Sequence, residues 1–330
     1  MPAPLRLAVI GAAHAHVRYA SDEVPLRDDL TLVAVADPDR ATAGRYADEF
    51  DVPAYDDHRR LLDVLRPDVV MIAGIYADRA EAIVDALHAG AHVIADKPLC
   101  TTLAELDAIE AAQRDTGRSV TLLLEKRNYP ETLAARALLA DGSLGELKQV
   151  ASTGPHKLNR PTRPPWFLTR KGYGGILGDL AVHDIDLVLF LSGATEGTVT
   201  GLVDSTEFAL SGALLLRAGT VAATIEVNWL TPAASPYHGD YRMRLTGTEG
   251  AAELYWAQNK LLAATTTRAP WQVELPPGRR PAAGTFDALA AGVEPEISTA
   301  AGFAATRVAL LAQESADAGG IVLPWKGQAG

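Results

Sequence analysis

Three polar residues in one apolar run raise the first chemical question. Residues 172–190 read GYGGILGDLAVHDIDLVLF, and at 100° per residue Asp179, His183 and Asp186 fall on a single stripe. The rest of this expected helix is apolar on almost every side, which marks it as buried. A carboxylate and an imidazole facing inward are either paired for stability or placed for proton transfer or metal binding. Asp184 lies off the stripe and is expected to reach solvent or a loop. The glycines before the helix let the backbone pass close to a ligand or a strand. A second candidate is Lys97, which ends an apolar run and precedes Pro98. A lysine at a sheet end usually just reaches water, but on a ligand-binding edge it can stabilise developing negative charge.

These groups need a scaffold. The chain has 330 residues, enough for two domains with real cores. Hydrophobic residues make up 48% and charged residues 22%, as in an ordinary globular protein. The net charge of −11 argues against nucleic acid or an anionic membrane as partner. Cys100 is the one cysteine, so no internal disulfide exists and a reducing, cytoplasmic setting is expected. No stretch has the length of a membrane span.

Up to residue 122 apolar runs alternate with helical patterns. Runs at 5–10, 30–36, 68–73, 92–95 and 119–124 read as strands, with helices at 41–50, 56–65, 78–89 and 102–115. Runs buried on both faces and separated by helices predict a Rossmann-like, doubly wound parallel sheet over 1–122. From 123 to 330 the chain reads as an α+β domain with a large, mostly antiparallel open sheet, since period two dominates after Gly193. The terminal helix, 298–316, is expected to pack back toward the first domain. The loop at 154–171 is long enough to be functional.

Ligands of such a parallel sheet sit at the carboxyl ends of its strands. Gly11 directly follows the first strand and permits a tight turn, after which free helix amides can hold a phosphate. Asp37 ends the second strand, where a carboxylate can accept both ribose hydroxyls of an adenosine. The full G-x-G-x-x-G is missing, because Ala13 and His16 stand at the later glycine positions. Asp37 could also be no more than the start of the Asp37-Pro38-Asp39 turn.

Several segments then fall into a recognisable order: VIGAAHAHVRYA, LVAVADPDRATAGRYADEF, VIADKPLCTTLAELDAIEAAQ, R-N-Y-P at 127–130, GGILGDLAVHDIDLVLFLSG and YRMRLTGTEGAAEL. The chain resembles the glucose–fructose oxidoreductase / inositol dehydrogenase / MocA family of NAD(P)-dependent oxidoreductases. The resemblance implies hydride transfer between nicotinamide and a secondary alcohol or ketone of a sugar, cyclitol or related polyol. It carries the family's catalytic set onto Lys97, Asp179 and His183. His183 would take the hydroxyl proton, Asp179 would orient it or hold a neighbouring hydroxyl, and Lys97 would face the developing alkoxide.

The cofactor, NAD with NADP as the alternative, is expected at Gly11, Ala12, Ala13, His14, Asp37, Arg40, Gly74, Ile75, Asp96 and Lys97. Arg127, His156 and Trp166 are candidates for the substrate, and no resident metal is expected. His14 and His16 read as turn residues near the pyrophosphate. The resemblance also implies a homodimer or homotetramer formed through the second sheet. The departures are Asp96 in place of a usual glutamate, the lost glycines, and Gly74 to Arg79 where many relatives carry proline–asparagine and a histidine. Two other classes stay open: a metal-dependent lyase or hydrolase using Asp179 and His183, and a non-catalytic NAD-sensing regulator.

Overall fold

The computed structural model describes residues 3–206 and 208–327. The chain divides into two compact units: residues to 123 together with 280–303, and 124–279 together with 304 onward. In the first unit the chain builds β1 (Leu5–Ile10), α1 (Arg18–Ser21), β2 (Leu30–Ala36), α2 (Arg40–Phe50), β3 (Ala54–Tyr55) and α3 (His58–Leu65). It continues through β4 (Val69–Ile72), α4 (Arg79–His88), β5 (His92–Ala95), α5 (Leu103–Thr116) and β6 (Val120–Leu122). The strands form one parallel sheet in the order β3-β2-β1-β4-β5-β6. Every residue of β4 is buried, as a sheet covered on both faces requires.

Helix starts follow local chemistry. Asp39 and Asp57 accept backbone amides at the starts of α2 and α3, and Thr102 with Glu105 forms a capping box on α5. Leu7, Val9, Val35, Val69, Met71 and Ile94 fill the core, joined by Ala282 and Phe286. Phe286 belongs to α9 (Ala283–Ala290), a helix for which the sequence pattern carried no expectation.

In the second unit, α6 (Pro130–Ala140), β7 (Leu147–Pro155) and α7 (Arg170–Tyr173) lead to the helix that carries the polar stripe. That helix is not one regular α-helix. Residues Leu177–Ala181 form a π-helical turn, and α8 proper spans Val182–Ser192. A π turn widens the ring and moves Asp179 off the 100° register on which the single stripe was drawn. The glycines before it answer to protein, since Gly175 (φ +124°) has Gln313 so near that a Cβ would sit 2.3 Å from its Oε1. Gln313 Oε1 in turn accepts the Leu177 amide at 3.3 Å.

Next come β8 (Glu196–Val203), β9 (Ser211–Ala218), β10 (Val221–Asn228), β11 (Arg242–Gly247), β12 (Gly250–Tyr255), β13 (Lys260–Thr265) and β14 (Trp271–Gln272). Then α10 (Thr299–Asp317) and β15 (Leu323–Lys326) follow. The sheet order is β14-β13-β12-β11-β7-β10-β9-β8-β15, antiparallel throughout except for the β7/β10 pair. Alternation along β9 and β10 buries Leu214, Leu216, Ala223, Ile225 and Val227 and turns Leu215 outward. Helix α8 packs on β7, β9 and β10. Leu202 and Leu215, at 59% and 62% exposure, stand on open ground. Among the described residues, no helix is long and apolar enough to cross a membrane.

The strand order of the first sheet reverses between β1 and β4, the switch point at whose carboxyl ends such sheets take their ligands. Gly11 and Gly74 line that edge so closely that a Cβ on Gly11 would lie 2.5 Å from the Gly74 Cα. Gly11 also holds φ +71°. Gly11→Ala should therefore destabilise the protein by about 1–2 kcal/mol from the left-handed backbone alone, with the backbone collision adding to it. Urea unfolding measures the loss, and an unchanged midpoint would mean that the two loops separate freely.

Candidate functional site

In the first unit the turn after β1 is organised by two carboxylates. Asp37 Oδ2 accepts the Ala12 amide at 2.7 Å and its Oδ1 accepts the Asp39 amide at 2.8 Å, with 6% of the residue exposed. Arg40 points outward and pairs with Asp56 at 2.6 Å. Ala13 is exposed, while Gly74 and Ile75 are half-buried beside the switch point.

Asp96 ends β5 with no exposed surface. Its Oδ1 lies 2.7 Å from His16 Nδ1 and its Oδ2 lies 3.1 Å from His14 Nδ1. Arg79, also fully buried, donates Nη2 to Oδ2 at 2.8 Å. The same guanidinium donates Nη1 to the Asp96 and Pro98 carbonyls at 2.9 and 2.7 Å, and Nε to the Gly74 carbonyl at 3.0 Å. Its plane lies over the Tyr76 ring, 4.4 Å from the centroid. Burial alone would raise the Asp96 carboxyl, but His14, His16 and Arg79 together hold it well below the usual carboxylate range. Burial lowers the His14 imidazole against the opposing pull of Asp96.

His14, His16 and Asp96 bring three possible ligand atoms within 4.8 Å of one another. A dication there would meet a guanidinium already neutralising the shared carboxylate, so this arrangement suits a hydrogen-bonded cluster better than a metal cage. Asp96, a candidate for cofactor contact, has no exposed surface, and its carboxylate is enclosed by His14, His16 and Arg79.

Lys97 follows Asp96 and is 6% exposed. Arg79 holds the carbonyls of the residues before and after Lys97, Asp96 and Pro98, which restrains the backbone from which the lysine side chain starts.

In the second unit Asp179 is fully buried in the π turn and His183 is 4% exposed on α8. Glu125 Oε1 lies 3.6 Å from His183 Nε2. Sequence reasoning passed over Glu125, although it stands two residues before Arg127, which it had singled out. Asp184, expected near solvent, is instead completely buried. It accepts Lys126 Nζ at 2.8 Å and the Ser152 hydroxyl at 2.9 Å. A carboxylate that deep needs a cation, and the short helical turn Glu125–Asn128 supplies it.

Asp186 is held by both arms of Arg127, Nε at 2.8 Å and Nη2 at 2.5 Å, and that guanidinium also stacks on Phe190. Arg127 thus forms a bidentate pair that ties the turn Glu125–Asn128 to α8. His156 lies against Trp229, Tyr241 and His238, with ring centroids 4.8–5.5 Å away. Its Nδ1 donates to the Gly154 carbonyl at 2.9 Å, which turns Nε2 toward other neighbours. Trp166 packs edge-on against Phe167 in the loop after β7. The structure brings Glu125 to His183 and Arg127 to Asp186, and it gathers His156 into an aromatic cluster with Trp229.

Residues 5–123 match a family model described as an oxidoreductase family with an NAD-binding Rossmann fold, and residues 132–253 match the GFO/IDH/MocA C-terminal domain. D-Glucoside 3-dehydrogenase of Escherichia coli K12 is 29% identical over 194 residues, covering 58% of this chain and 54% of that protein. Inositol 2-dehydrogenase of Rhizobium meliloti 1021 is 28% identical over 203 residues, 59% of this chain and 57% of that protein. The match spans little more than half the length of these curated relatives. Levoglucosan dehydrogenase, solved with NADH and levoglucosan, superposes with a TM-score of 0.83 at 21% identity. That match covers 97% of this chain and 99% of the other, and the likeness is one of fold.

Proposed function

The chain belongs to the GFO/IDH/MocA family of oxidoreductases, and from that premise we propose that it is an NAD-dependent dehydrogenase of a sugar, cyclitol or related polyol. What supports this reading is that Lys97, Asp179 and His183, onto which the resemblance carries the family's catalytic set, are all buried. The cofactor is expected along the edge where Gly11 meets Gly74 and where the Asp37 carboxylate fixes the Ala12 amide. Nicotinamide, when bound, supplies the hydride acceptor or donor.

The chain's own residues handle the proton and the charge. His183 takes the hydroxyl proton as the general base. Glu125 beside Nε2 favours the imidazolium that results. Asp179 orients the imidazole or holds a neighbouring hydroxyl, and Lys97 stabilises the developing alkoxide as a compact positive charge. His156 and Trp166 are offered for substrate contact.

His183→Asn should keep the fold and NADH binding while lowering turnover by roughly 10²–10⁴. Lys97→Met should do comparable damage, and chelator should leave wild-type turnover intact. A polyol and sugar panel read at the NADH absorbance provides the assay. Full activity in both variants would sink the assignment, and loss of wild-type activity with chelator alone would favour a metal enzyme.

Asp37 sets a negative charge where the 2′-phosphate of NADP would have to lie, so NAD should bind more tightly by roughly tenfold or more. Calorimetric titration of both cofactors decides this, and tighter NADP binding reverses it.

The second sheet leaves Leu202 and Leu215 exposed, and an open sheet of nine strands is an apolar liability. We assign it to self-association as a dimer or tetramer of closed symmetry. Light scattering at micromolar protein should give a multiple of the chain mass, and a monomer would contradict the assignment.

A further inference from the structure

We propose that Asp96 and Arg79 are positioning residues for the dinucleotide turn, acting through the His14 and His16 imidazoles. The inference rests on the functional reading above, because it takes the ligand of that turn to be a dinucleotide. It starts from an imbalance of hydrogen-bonding groups. The turn after β1 keeps only Gly11 of the usual glycines and presents two imidazoles instead. Both rings aim Nδ1 at one carboxylate, at 2.7 and 3.1 Å, and that carboxylate is fully buried with the Arg79 guanidinium 2.8 Å from its Oδ2, a pairing that favours the ionised form. An ionised carboxylate only accepts, so each Nδ1 must carry a proton.

His14 poses the one conflict. Its Nδ1 also lies 3.4 Å from the His16 amide, which would need an acceptor there. The contact to Asp96 is shorter and charge-assisted, so it decides in favour of Nδ1–H. With both Nδ1 atoms committed to Asp96, ligand contact falls to the Nε2 sides of the rings. The rings are set edge to face with centroids 4.3 Å apart, and His16 stacks on Tyr19 at 4.6 Å. His14 and His16 side chains keep 18% and 22% exposure, whereas Asp96 keeps none.

Arg79 supplies the reason that Asp96 stays ionised and immobile. It neutralises Oδ2 and ties down the carbonyls of Gly74, Asp96 and Pro98 with its remaining N–H groups. The charged groups acting on the His14 imidazole are Asp96, which raises it, and His16 and Lys97, which lower it; Arg79 meets the far side of the shared carboxylate. Each ring gains a fixed tautomer and a fixed direction without binding a metal, much as carboxylates orient metal-bound histidines elsewhere.

Two measurements on the full-length protein test this. The ¹⁵N resonances of His14 and His16, assigned with H14Q and H16Q, should show the Nδ1–H form for both rings in the wild type. An Nε2–H form at either would overturn the proposal, and this readout needs no Asp96 variant to fold. Titration with NADH, followed by nucleotide fluorescence, should show D96N weakening affinity roughly tenfold to hundredfold, the scale of a lost charge-assisted hydrogen bond. In an H14A/H16A background the same D96N change should fall below about twofold, because groups acting as one unit are non-additive. An equal loss with and without the imidazoles, or no loss at all, would overturn it. Failure of wild-type protein to bind NADH would overturn the functional reading and this inference together. Wild-type binding with D96N unaffected overturns this inference alone.

Discussion

A carboxylate with no exposed surface cannot remain charged unless donors surround it, and Asp96 meets that condition with donors from two distant segments. His14 and His16 come from the turn after β1, and Arg79 comes from the first turn of α4. Satisfying one charge thereby ties the carboxyl ends of β1, β4 and β5 to a common point. The Gly11–Gly74 approach at the switch point follows from the same requirement, since Arg79 also holds the Gly74 carbonyl. The ligand edge of this sheet is shaped by charge as much as by glycine.

The second unit answers a similar demand in a different way. Helix α8 buries Asp184 and Asp186 among apolar neighbours, and the turn Glu125–Asn128 meets them with Lys126 and Arg127 in register. Removing either cation would strand a buried carboxylate, a loss on the order of 3–5 kcal/mol. Replacing a whole pair by apolar residues would cost far less, so the pairs define an arrangement more than they add stability. With the turn clamped at two adjacent residues, Glu125 has little choice of position. It faces His183 as a consequence.

Most of the scaffold could be read from periodicity. The strands of the first sheet were legible because runs such as 5–10 and 92–95 are apolar on both faces. The antiparallel strands declared themselves by alternation. What stayed hidden depended on contacts between residues far apart in sequence. The π turn at Leu177–Ala181 leaves no mark in a 100° projection, so Asp179 looked aligned with His183 and Asp186. Asp184 looked solvent-bound because its partner Lys126 lies 58 positions away. The pairing of Arg127 with Asp186, 59 positions away, was hidden for the same reason. Helix α9 was missed in a segment with few apolar residues in a row, and its Phe286 finds the first unit's core only through tertiary packing.

Three departures from the family's motifs looked, one by one, like losses. The turn after β1 has Ala13 and His16 at the later glycine positions with His14 between them, the residue before Lys97 is an aspartate, and the segment after β4 runs from Gly74 to Arg79 without the proline–asparagine pair. In three dimensions they are a single feature, because His14, His16 and Arg79 all converge on Asp96. Asp96 has a shorter reach than glutamate, and the long guanidinium of Arg79 extends to meet it and the carbonyls on both sides of Lys97. Changing Asp96 alone would leave the buried Arg79 guanidinium without its carboxylate. Departures that depend on one another in this way are better explained as an alternative means of holding the same edge than as decay of a binding site.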